Sequence, residues 1–232
     1  MPVRQRSNGL YRSDVGDAEF RERVEEGLVA ELGSRSVTAA VSLFFLLPFL
    51  PEVLGGAEKR SPSIMTALLL LWCVVSVRLV AILVVRLVPK ERLPTRVRKA
   101  ILLASSTLVA VGLAVLNLTA VPHLDDTHIA LLAVCHAGIG SVALVSMAGS
   151  LGGYHAYLAL NLGSFLFAVA LDDSSPVNRL LFGLVLLFIG SFVVLSIRVH
   201  KGLSRSLLLS IQLGEAALRD TLTGLRLSLI HI

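Results

Sequence analysis

Cysteine is nearly absent from this chain: Cys73 and Cys135 are the only two, and both fall inside apolar runs. That excludes a disulfide framework and a cysteine-rich metal site. Charge is sparse as well, at 16% of residues, against about 25% in an ordinary soluble domain. No glycine-rich nucleotide loop, nucleophilic serine or cysteine arrangement, or HExxH-type zinc motif occurs, so nothing in the chain reads as a catalytic centre. The first 36 residues are polar and lack an apolar core, so no cleavable signal peptide is expected. What the chain has in excess is apolar surface, with 55% hydrophobic residues and a mean hydropathy of +0.80.

Those apolar residues gather into runs long enough to cross a bilayer, which takes roughly 20 residues in a helix. Six spans are expected, at 37–55, 63–88, 100–121, 128–149, 153–171 and 177–197. The net charge of +5 then reports topology rather than a nucleic-acid partner. Of 21 Lys and Arg, six precede the first span, six lie from Arg86 to Lys99, and five lie from Arg198 onward. Only Lys59, Arg60 and Arg179 occupy the alternate loops. This positive-inside bias places both termini in the cytoplasm of a multi-pass protein. The fold expected is an all-α membrane protein, a six-helix transmembrane bundle over 37–197.

Two flanking segments are helical by pattern. Within the N-terminal cytoplasmic segment 1–36, Phe20, Val24 and Leu28 recur every fourth residue, with Asp17 as a cap and Gly33 as a stop. This short amphipathic helix is read as lying on the membrane surface or on a partner helix. The first span carries Pro48 and Pro51, which should kink it or end it early. After the last span, 198–219 holds no proline and reads as a cytoplasmic connector helix. Its Leu207, Ile211, Leu218 and Leu222 are spaced as the seam of a helical pair, though Gly214 and Glu215 interrupt it. A homodimer through this helix is expected.

The connector runs into Asp220-Thr221-Leu222-Thr223-Gly224-Leu225. This hexapeptide resembles the D-x-L-T-G-L opening of the GGDEF domain of bacterial diguanylate cyclases, and its place just after a juxtamembrane helix sharpens the likeness. The resemblance implies that 220–226 begins such a domain and that the parent joins two GTP into cyclic di-GMP using Mg²⁺. The GTP- and Mg²⁺-binding residues of that family do not occur here, so no cofactor is expected on this chain. Asp220, Leu222, Thr223, Gly224 and Leu225 carry a structural role, with Asp220 a helix cap and Gly224 a tight turn. Residues 227–232, Leu-Ser-Leu-Ile-His-Ile, depart from the family's Asn-Arg and match the translation of a common sequencing-adapter string. The natural chain is therefore expected to differ beyond Arg226.

One charge lies inside a span. Arg78 sits about 15 Å from the cytoplasmic end of its helix, where a charge is costly. Asn161 and His136 come to similar depths, about 12 and 18 Å. One reading joins Arg78, His136 and Asn161 in a polar layer that binds an unidentified signal ligand or senses protonation. The other, favoured by sequence, has Arg78 reaching the inner headgroups beside Arg86 while His136 and Asn161 serve as interhelical glue. The outer loop from His123 to His128 holds metal-ligand residue types without a metal-ligand spacing, so no metal site is assigned. Gly138, Gly140, Ala143 and the Gly149–Gly153 run offer small faces for close helix packing.

Two other functions fit six spans. A small transporter or channel is one, but no inverted repeat or line of intramembrane acids accompanies it. The input region of a sensor histidine kinase is the other, opposed by the hexapeptide at Asp220.

Overall fold

A computed structural model describes residues 14–89, 91–171 and 175–217, and every regular element among them is helical. Six long helices dominate: α1 Asp14–Leu46, α2 Pro62–Leu87, α3 Thr95–Ala120, α4 Asp126–Ser146, α5 Leu151–Leu171 and α6 Pro176–Ala217. Six segments are long and apolar enough to cross a bilayer, the architecture of a multi-pass helical membrane protein. Lys90, Asp172 and Asp173 lie outside the described residues, as do Arg219, the hexapeptide Asp220–Leu225 and the tail 227–232.

Local chemistry sets the helix ends. α1 stops at Leu46, ahead of Pro48, because proline disfavours helical backbone in the residue before it. The chain continues as a 3₁₀ turn, Leu47–Phe49, and a single α-turn, Leu50–Val53, burying Leu47, Leu50 and Leu54. The early finish expected from the two prolines is what the structure has. Gly55 and Gly56, with φ of +60° and +74°, then reverse the chain. α2 and α6 each open on a proline at the first turn, where its missing N–H costs nothing. Asp125 caps α4 by accepting the backbone N–H of His128 at 2.9 Å.

The N-terminal segment departs from expectation. No break occurs at Gly33, and Asp17 lies inside a helix rather than at its start. The polar extension and the first span are one helix. A glycine in a helix interior costs only about 1 kcal/mol, and close packing of Gly33 on Leu102 of α3, with Leu32 buried next to it in the chain, offsets that.

Helix association in lipid depends on close packing rather than on apolar surface leaving water. Two glycines supply it. A Cβ on Gly112 of α3 would lie 3.0 Å from Val74 of α2, and one on Gly140 of α4 would lie 3.2 Å from Phe192 of α6. The Gly149–Gly153 run divides: Gly149 and Gly153 are closely packed, while Gly152 faces open space. On the outer faces Leu69, Val80, Leu180 and Leu187 are exposed, as lipid-facing residues must be.

Candidate functional site

At the termini side of the bundle, one arginine fixes the turn between α2 and α3. Arg98 donates to the carbonyls of Val85 at 3.0 Å, Val88 at 2.6 Å and Leu93 at 2.8 Å. Two of these carbonyls belong to the end of α2, where backbone acceptors lack helical partners and a cation is favoured. In sequence this residue reads only as part of the positive-inside bias. Lys99, next to it, pairs with Glu25 of α1 at 2.8 Å. The pair ties the N-terminal extension to the bundle.

The same extension meets the far half of α6. Phe20, Val24 and Leu28 border a groove with His200 and Leu208 of α6. Gly27 lies so close to Leu207 that an added Cβ would stand 3.3 Å from it. His200 Nδ1 donates to the Ala148 carbonyl in the turn after α4, at 2.8 Å. The amphipathic stripe legible in the sequence therefore covers the chain's own last helix. Of the four seam positions, Leu207 and Ile211 are half-buried, and Leu218 and Leu222 lie outside the described residues.

Deeper in the bundle, two of the three polar-layer residues come together. His136 Nδ1 and the Asn161 side-chain oxygen are hydrogen-bonded at 2.6 Å, both fully packed against neighbours. Asn117 extends the cluster, its amide donating to the Asn161 carbonyl at 3.1 Å and to Ser164 Oγ at 2.9 Å. The Phe165 ring lies against His136 with centroids 5.4 Å apart. This network links α3, α4 and α5, a use of polar side chains that lipid-embedded helices favour. Asn117 was not singled out by sequence, since an asparagine near a helix end carries no distinguishing signal.

Arg78 stands apart from that network. It is only 5% exposed, so its side chain is packed within the bundle rather than reaching outward beside exposed Arg86. Among the described residues, nothing accepts a hydrogen bond from its guanidinium and no carboxylate pairs with it. It lines a cavity of about 290 Å³ formed by α1 to α5, together with Tyr157 of α5. Arg78 and Tyr157 are within electrostatic reach of each other. Leu43, Leu46, Val109 and Ile139 make the walls apolar, and Cys135 and Gly138 border the space from α4. His136 and Asn161 do not line it.

At the opposite end of the bundle, Asp125 and His128 are joined twice, through the backbone cap and through a 2.6 Å side-chain contact. The His128 N–H groups hold the Asp125 carboxyl below the usual carboxylate range, the backbone bond contributing most. Ser175 ties the next loop to this corner by donating to Asp126 at 2.8 Å. These are capping contacts. Among the described residues no three His, Cys, Asp or Glu side chains come together to hold a metal ion.

No protein family, curated protein or solved structure matches the chain.

Proposed function

We propose that this chain is the membrane input region of a diguanylate cyclase, the catalytic GGDEF domain following Asp220–Leu225 in the parent protein. One observation carries the reading: α6 is a single helix of 42 residues that continues from the last span to within three residues of Asp220. At 1.5 Å per residue it is about 63 Å long, twice the roughly 30 Å hydrocarbon core. That length supports reading its far half as a rigid cytoplasmic connector, able to carry a shift or rotation of the membrane-embedded half to whatever follows.

In the resembling family, two cyclase domains must meet so that each GTP 3′-hydroxyl can attack the other α-phosphate, a matter of alignment and of metal-offset charge. A connector pair is suited to control that alignment. Leu209 and Leu213, one helical turn apart, are 56% and 70% exposed and offer an apolar edge for a second copy. The N-terminal extension lies against the adjoining face of the same helix, through Gly27 at Leu207, and is placed to restrain it. Both termini face the cytoplasm of a bacterial inner membrane in this proposal, where GTP and Mg²⁺ are available.

The reading frame of the genomic locus beyond Arg226 tests the assignment. Continuation as N-R directly after Arg226, with G-G-[DE]-E-F within about a hundred residues, is the expected result. An unrelated continuation, or a kinase-type histidine box, would overturn it.

A further inference from the structure

Arg78 presents an unusual balance of donors and acceptors. A guanidinium carries five N–H donors and no acceptor, and burying its charge unpaired is costly anywhere in a protein and more so in lipid. Here it is 95% covered, faces a cavity, and has no acceptor among the described residues. Beside it Tyr157, itself 3% exposed, makes no hydrogen bond through its hydroxyl among those residues. Two donors therefore converge on one space whose lining contains no carboxylate. The hydroxyls of Ser42, Ser146 and Tyr157 can accept a hydrogen bond but bring no counter-charge, and an anion answers the buried charge as well as the open donors.

The rest of the cavity specifies the body of that molecule. Its walls are aliphatic, and at about 290 Å³ it stands near the lower end of the usual range for ligand pockets, about 300–1,000 Å³. A second cleft of about 370 Å³ adjoins it, sharing Ala39, Ser42, Val142 and Ser146. That cleft runs between α1 and α4 toward Arg35, Thr38 and Ser141. The cavity and this cleft are both lined mainly by apolar atoms; the one charge at the deep end is Arg78, and the one at the other end, Arg35, is already paired with Glu31. The outer edge of the space is kept open by Gly138, whose absent side chain leaves nothing within 4 Å of a Cβ position.

We propose that this cavity binds a single-chain carboxylate amphiphile, with the carboxylate on Arg78 and the Tyr157 hydroxyl and the alkyl chain along the cleft between α1 and α4. The guanidinium offers a planar, bidentate match to a carboxylate. The dimensions leave room for one chain, and the entrance lies at the lipid-facing side of two helices, where such a molecule already partitions. As a binding site this stands independently of the output domain; only its role as the signal of the input region rests on the proposed function.

Cys135 borders the cavity and provides the reporter. In Cys73→Ser protein, which retains one thiol, reconstituted in phosphatidylcholine nanodiscs, N-ethylmaleimide reacts with Cys135 at a rate that dodecanoate should slow. Dodecanol and acetate at the same concentration should leave the rate unchanged, since one lacks the charge and the other the chain. Radiolabelled dodecanoate should bind saturably at one site per chain. Arg78→Gln should weaken it about tenfold or more, the factor carried by one charge-assisted hydrogen bond. Gly138→Leu, which fills the opening without touching the charge, should abolish the protection. Equal protection by dodecanol would make the site a nonspecific apolar hollow, and equal protection by acetate would make it a small-anion site. Either result, or no binding of dodecanoate to the unsubstituted protein, overturns the proposal. No arm reads cyclic di-GMP, so a failed output assignment leaves this result interpretable.

Discussion

Gly149 gives the sharpest test of how the N-terminal extension is seated. It lies in the turn between α4 and α5, and a Cβ there would stand 2.6 Å from the Leu28 carbonyl oxygen of α1 and 3.5 Å from Leu32 Cβ. A carbon–oxygen contact normally settles at about 3.3–3.6 Å, so Gly149→Ala requires α1 and the turn to separate by about 0.7 Å or more. The obstructing atom is helical backbone and cannot rotate away. Overpacking of this kind costs about 1–3 kcal/mol, and we expect about 2 kcal/mol. The movement would also strain the Glu25–Lys99 pair and the His200 bond to Ala148, each at 2.8 Å. Gly163→Ala is the control: the site lies within α5, has nothing within 4 Å of a Cβ, and should be neutral or gain up to about 1 kcal/mol of helix stability. Unfolding in mixed micelles can be followed through Trp72, the single tryptophan, which packs edge-on against Phe44 of α1. If Gly149→Ala is no more destabilising than Gly163→Ala, the close seating of α1 on the turn is wrong.

Two further outcomes follow from the contacts at the two ends of the bundle. Arg98→Ala should destabilise by about 2 kcal/mol in the same assay, less than three full charge-assisted bonds because water can reach the freed carbonyls. Arg98→Lys should recover only part of that, since one ammonium cannot reproduce the fork. At the other end, Asp125 has a depressed carboxyl in the folded protein, so its contribution is fully present above the ordinary carboxylate range. It is lost as pH falls through the still lower folded value. Hydrogen exchange at the amides of Thr127 to Ile129 should therefore stay slow at mildly acidic pH and quicken only in stronger acid, whereas Asp125→Ala should quicken it at neutral pH.

Sequence carried the large-scale plan because span length and apolar density are local quantities. All six spans could be read from runs of leucine, valine and alanine, and the early end of the first from Pro48. The continuity of α1 was hidden, because Gly33 reads as a stop unless its burial near Leu102 is known. Depth arithmetic along the helices found His136 beside Asn161, but it gives no azimuth, and so it could not separate Arg78 from them. Arg78 itself was conspicuous as a lone charge in an apolar run. Its cavity was not, since Tyr157, Cys135 and Gly138 converge on it only through the packing of five helices. Arg98 was concealed in the same way: its value lies in three carbonyls supplied by the neighbouring turn.

The account turns on the output proposed for this bundle. Membranes from cells expressing the full gene across the Asp220–Leu225 motif, supplied with GTP and Mg²⁺, should form cyclic di-GMP. The product should disappear when the proposed downstream GGDEF loop is substituted. No cyclic di-GMP from membranes that hold the intact, inserted protein would contradict the assignment of this bundle as the input of a diguanylate cyclase.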